Sequence, residues 1–195
     1  MAENVKTSGL SRRAVVVGMA FSLIAPGVAR AEHPSIVHMR KVAKDMLNAH
    51  RQGTVASFKR AILRHADVNG IGDYSLGQYR PKLAGSQKGR YYGGVANFMA
   101  RYFADQSREY PIAKYELGEA TALDGKNVQV SSKIYLLSGQ TYTVVWRLGW
   151  RGGKYKVTDV KVLGFSLTYM QRGIFTSFLS KRNGSVAELV RALNR

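Results

Sequence analysis

From Tyr110 onward the apolar residues recur at every second position, and the interruptions are too short for anything but antiparallel neighbours. A period of two places alternate side chains on one face of a strand, so Tyr142, Val144, Trp146 and Leu148 share a face. The pattern predicts strands over 115–123, 128–137, 140–150 and 155–163, with turns at Asp124-Gly125, Ser138-Gly139 and Gly152-Gly153. A parallel crossover needs a dozen or more residues, so these turns dictate a four-stranded antiparallel meander.

Helical spacing governs both flanks. Pro34 and Ser35 open a first helix with Ile36, Val37, Val42, Ala43, Met46 and Leu47 on its apolar side, ended by Gln52-Gly53. Thr54 caps a second helix that turns Val55, Phe58, Ile62 and Leu63 inward and is closed by 67–72. Gly70, Gly72 and Gly77 read as a helix break, because no strand precedes them and no Gly-Lys-Ser/Thr follows as a phosphate loop requires. After a short segment, 73–79, and Pro81, Ser86 caps the longest helix, whose face is broad and aromatic: Tyr91, Val95, Phe98 and Tyr102, with Tyr92, Met99 and Phe103 alongside. Beyond the meander Gly164 lets the chain bend, and helices follow over 168–182 and 185–193. Met170, Ile174, Phe175, Phe178 and Leu179 recur at helical spacing in the first of them. Helices, then a meander, then helices define an α+β domain.

The chain of 195 residues starts with what reads as an export signal, 1–31. Lys6, Arg12 and Arg13 precede an apolar run, Pro26-Gly27 ends it, and Ala29-Arg30-Ala31 offers small residues for cleavage after Ala31. The run is shorter than the roughly 20 residues of a membrane span. Ser11-Arg12-Arg13 resembles a twin-arginine signal without its usual aromatic, so twin-arginine and Sec export both stand. Residues 32–195 then form one domain, expected to be a soluble periplasmic monomer. Removing Lys6, Arg12, Arg13 and Arg30 from the 30 basic residues and Glu3 from the 12 acidic ones leaves a net charge of +15. For an exported protein that excess points to a phospholipid surface before nucleic acid. The absence of cysteine excludes disulfides and a lipidated N-terminal cysteine.

Catalytic constellations fail one by one. Gly164-Phe165-Ser166 resembles a nucleophile elbow, but Thr168 occupies the position that needs glycine and no histidine follows. Ser166 is therefore a corner or N-cap residue. His33, His38, His50 and His65 lack the spacing of a helical zinc site. The basic residues Arg40, Lys41, Lys44, Lys59, Arg60, Arg64, Lys154, Lys156, Lys161, Lys181 and Arg182 are dispersed along solvated faces. What remains is the aromatic excess. Tyr91, Tyr102, Tyr135, Tyr142, Trp146 and Tyr155 combine apolar bodies with polar tips, which suits either a packed core or a cavity wet at its mouth.

The order Trp146-Arg147-Leu148, Trp150, Tyr155-Lys156-Val157-Thr158-Asp159-Val160, Gly164-Phe165-Ser166-Leu167, Arg172 and Phe175 resembles the MlaC, or toluene-tolerance, family. Leu76-Gly77-Gln78-Tyr79, Ser86-Gln87 and the aromatics Tyr92, Phe98 and Tyr102 resemble its helical half. The resemblance implies an NTF2-like α+β fold with helices enclosing an apolar lipid cavity. It implies a non-enzymatic periplasmic carrier without a cofactor, moving phospholipid between an outer-membrane lipoprotein and porin complex and an inner-membrane ABC transporter. Outer-membrane lipid asymmetry is the process such carriers support. A hopanoid-associated subgroup is close to the same pattern. Lipid-binding residues are then expected among Tyr91, Val95, Phe98, Met99, Tyr102, Tyr135, Leu137, Tyr142, Val144, Trp146, Leu148, Val157, Arg172 and Phe175. The competing class is an NTF2-like isomerase with Asp159 or Asp73 as base; a polyanion binder is a third.

Overall fold

Pro34, with no amide proton to waste, begins helix α1 (Pro34–Gln52), and Gly53 ends it in the left-handed region at φ 61°. The computed structural model describes residues 32–195; the expected export signal lies outside the described residues. Thr54 caps α2 (Val55–His65) by accepting the Ser57 amide. The expected break at 67–72 is instead a third helix, α3 (Val68–Leu76), capped by Asp67 through the Gly70 amide. Gly72 lies inside it because the ring of Tyr91 needs the space: a Cβ there would stand 3.2 Å from Tyr91 Cε1, and the Tyr91 hydroxyl donates to the Gly72 carbonyl at 2.7 Å. Two 3-10 turns, Gly77–Lys82 and Gly85–Gln87, lead into α4 (Lys88–Glu109), which starts without a side-chain cap from Ser86.

The sheet follows in simple order: β1 (Ile112–Asp124), β2 (Asn127–Leu136), β3 (Thr141–Arg151), β4 (Lys154–Val162) and β5 (Phe165–Ser166), each antiparallel to the last. The fifth strand, two residues long, adds to the expected four. Gly152 and Gly153 both take positive φ in the β3–β4 turn, which two-residue hairpins of matching twist demand. Inner positions of β2 and β3 pair across the sheet, Val130 with Trp146, Ser132 with Val144 and Ile134 with Tyr142. Between β3 and β4 the pairing slips by one residue: Arg147 opposes Asp159 while Leu148 opposes Val157. This bulge at Thr158 lets Val157 and Val160 face the same side despite odd spacing. Helices α5 (Leu167–Ser180) and α6 (Val186–Leu193) complete the chain, capped by Ser166 and Ser185.

Two cores result. One joins α2 to α6 around Tyr91, Val95, Phe175 and Leu179; α6 approaches α4 so closely that a Cβ on Gly94 would lie 2.7 Å from Leu193 Cβ. The other packs Ile36, Met39 and Val42 of α1 on the inner face of the sheet. Met46 touches both.

Candidate functional site

Between these cores lies a cavity of about 640 Å³. Its floor is the inner sheet face: Tyr115 and Leu117 of β1, Ile134 and Leu136 of β2, Tyr142, Val144 and Trp146 of β3, and Val160 and Val162 of β4. Its roof is Ala43, Met46 and Leu47 of α1, Phe58 of α2, and Tyr102 and Phe103 of α4. The Trp146 indole donates to Ser132 Oγ at 2.9 Å, so the floor's polar atom is satisfied within the wall and presents hydrocarbon to the space. A smaller annex of about 50 Å³ shares Tyr102, Phe103, Val160 and Leu167 with the main cavity and is lined beyond them by Phe98, Met99, Val157 and Met170.

At one end the lining turns polar. There the last turns of α1 and α4 meet the β2–β3 hairpin and supply His50, Gln106, Ser107, Tyr110, Gln140 and Thr141. His50 Nε2 accepts the Ile112 amide at 3.0 Å, which places the ring proton on Nδ1; burial lowers its pKa. Burial raises the Tyr102 and Tyr142 pKa values, and Tyr110 adds to both, so the three phenols stand near one another. Among the described residues no Lys, Arg, Asp or Glu lines the main cavity.

Of the fourteen residues singled out from sequence, Tyr102, Tyr142, Val144 and Trp146 line this cavity, and Phe98, Met99 and Val157 border the annex. Seven lie elsewhere. Tyr91, Val95 and Phe175 fill the helical core, because the N-terminal part of α4 faces α3, α5 and α6 and only its C-terminal part reaches the cavity. Leu148 is buried in the core of the sheet and α1. Tyr135 occupies the opposite parity of β2, donates to Glu116 Oε2 at 2.6 Å, and carries Lys114 Nζ 4.3 Å over its ring on the outer face. Leu137 lies past the end of β2 and is 71% exposed. Arg172 stacks on Tyr74 at 4.8 Å, between α5 and α3. The lining residues of α1 and β1 are not among the fourteen, although Ala43, Met46 and Leu47 stand on the apolar side of the first helix and Tyr115 and Leu117 lie in the first expected strand.

The acids of the competing enzyme class are structural in this fold. Asp159 Oδ1 accepts Val160 N at 2.8 Å, Ser166 Oγ at 2.9 Å and Thr168 N at 3.2 Å, fixing the corner from β4 to α5. Asp73 accepts the Tyr92 hydroxyl and Arg80, each at 2.8 Å. Neither lines the main cavity, and Asp159 borders the annex. Among the described residues no group of three His, Cys, Asp or Glu is arranged to hold a metal, and no helix is long and apolar enough to cross a membrane.

Sheet, helices and cavity define a class: an α+β domain that keeps an apolar chamber open between two cores. The chain belongs to the MlaC family, whose model, described as MlaC protein, matches residues 36–195. No curated protein matches it. Among solved structures it is similar to the phospholipid-binding protein from Ralstonia solanacearum in complex with a phospholipid, at 18% identity and a TM-score of 0.67, over 84% of this chain and 96% of that chain. At that identity the likeness establishes a shared fold.

Proposed function

We propose that this protein is a non-catalytic carrier that takes up the acyl chains of a phospholipid in the cavity and moves the lipid through the periplasm. The observation that carries the reading is the cavity of about 640 Å³, apolar in depth and, among the described residues, without a charged lining side chain. Such a space suits alkyl chains, since each buried methylene gains about 0.8 kcal/mol. Membership of the MlaC family and the phospholipid held by the Ralstonia solanacearum relative support the choice of cargo. The same membership favours an outer-membrane lipoprotein and porin complex and an inner-membrane ABC transporter as donor and acceptor, with outer-membrane lipid asymmetry as the outcome. Cleavage after Ala31 would release the carrier as a monomer in the periplasm. Its charge of +15 would orient it on anionic surfaces.

Val144→Trp tests the reading, because Val144 lines the floor and an indole there would fill the chamber. The expected result is loading of labelled phospholipid from vesicles reduced by at least about fivefold, with an unchanged circular dichroism spectrum. Undiminished loading in a folded variant would contradict it.

A further inference from the structure

Exposed apolar side chains gather at one corner of the fold. Where β4 turns through β5 into α5, Phe165 is 77% exposed and Leu163 and Tyr169 are each 69% exposed, and Met170 and Ile174 carry the patch further along α5. Packing does not explain them. Phe165 precedes the capping residue Ser166 and Met170 is the fourth residue of the helix, the two places where a hydrophobic staple closes, yet the Phe165 ring stays in solvent. Leu163 takes a positive φ of 51°, a region that glycine or asparagine enters more freely. A leucine held there with its side chain exposed is neither a relaxed turn residue nor a core residue, which points to a use for the side chain itself.

Position and charge indicate what the patch meets. Phe165 pairs with Val162 between β5 and β4, and paired residues project to the same side of a sheet, so its ring leaves the edge strand on the side where Val162 lines the cavity. Leu163 lines the cavity as well, which makes the patch continuous with it. From 160 to 187 the chain carries Lys161, Arg172, Lys181 and Arg182 and no acidic residue. Among the described residues only Arg182 of these four forms an ion pair, with Glu188 at 3.2 Å. Apolar and aromatic side chains set among unpaired cations suit an anionic bilayer, where rings settle at headgroup depth and cations meet lipid phosphates.

We propose that the corner formed by Leu163, Phe165, Tyr169, Met170 and Ile174 is a membrane-contact site that enters the interface of an anionic leaflet beside the cavity. It adds a direct contact with the lipid surface to the carrier reading, and its test does not depend on cargo.

Because the chain has no cysteine, Phe165→Cys can carry a single polarity-sensitive fluorophore, with Lys126→Cys, in the β1–β2 turn at the other end of the sheet, as the control. The probes are vesicles of phosphatidylcholine with and without phosphatidylglycerol. At physiological salt the label at 165 is expected to brighten at least about threefold on the anionic vesicles and little on the zwitterionic ones, while the label at 126 stays unchanged. The unlabelled double variant Phe165→Ser, Tyr169→Ser, at two positions that do not line the cavity, should partition onto anionic vesicles at least about tenfold more weakly than the native protein, with unchanged binding of short-chain phospholipid in monomeric solution. A silent label at 165, equal brightening at 126, an equal response to zwitterionic vesicles or undiminished partition of the double variant would overturn the proposal. Brightening with protein concentration in the absence of vesicles would also overturn it, by assigning the patch to a second copy of the chain. Failure of the native protein to bind the short-chain phospholipid would count against the carrier reading alone.

Discussion

His38 sits where α1, α2 and β4 meet. Its ring contacts that of His65 edge-on at 5.6 Å, and its Nε2 is buried without a hydrogen-bond partner among the described residues. Burial is the main cause of a pKa lowered from 6.5 to about 4, followed by His65 and the charges of Lys156, Lys41 and Lys154. His65 itself bonds Asp45 at 2.8 Å, and this hydrogen bond is the leading cause of a lowered Asp45 pKa. The folded chain thus keeps His38 neutral down to about pH 4, whereas the unfolded chain binds a proton near 6.5. Between those values the unfolded state takes up more protons, so stability is fully present above pH 6.5 and falls as pH falls toward 4. Thermal melting from pH 7 to 4.5 should show a steeper decline for the native protein than for His38→Phe. Parallel curves would mean that His38 is not the group responsible.

At the scale of elements, the corner between β4 and α5 holds the cavity wall in place. Val160, Val162, Leu163 and Leu167 all line the cavity and flank that corner. Asp159→Ala removes three acceptor contacts at once, including the bond to the Ser166 hydroxyl that caps α5. Loss of these charge-assisted bonds should lower stability by about 1.5–3 kcal/mol, read from the urea midpoint. A change below about 0.5 kcal/mol would contradict this account of the corner. The alternation of Val157 and Val160 leaves the side of Asp159 undetermined in sequence, because a bulge resets parity and the residues that form one carry no distinctive signature. Meander and turn positions, by contrast, were legible: period two and the turn glycines Gly125, Gly139, Gly152 and Gly153, all at positive φ, report local backbone requirements. Tyr135 shows where composition misleads; its phenol suited a cavity, but its parity in β2, opposite to Ile134 and Leu136, already assigned it to the outer face. Tyr91 and Val95 show a different limit. Helical spacing marks the apolar stripe of α4, but which part of that stripe meets helices and which meets the cavity is decided by neighbours distant in sequence. Gly72 belongs to the same case, a helix break by local propensity and a helical residue because Tyr91 packs on it.

For the molecule as a whole, the strong positive charge and the apolar cavity serve different steps. On the carrier reading the cavity would hold cargo by contacts that salt does not screen, whereas the net charge of +18 would attract anionic surfaces over about one Debye length. Association with vesicles containing phosphatidylglycerol should therefore weaken markedly as salt is raised, while lipid already bound stays in place; sedimentation with vesicles and retention on gel filtration measure the two separately. Salt-independent vesicle association would remove charge from the account. The central claim is that the space between the two cores holds a phospholipid, and its most direct test is native mass spectrometry of the protein purified from the periplasm without added lipid. The account predicts a population heavier than the polypeptide by the mass of a phospholipid, released on denaturation and identified by extraction. A spectrum of bare polypeptide only, from protein that also fails to take up phospholipid on incubation with vesicles, would contradict it.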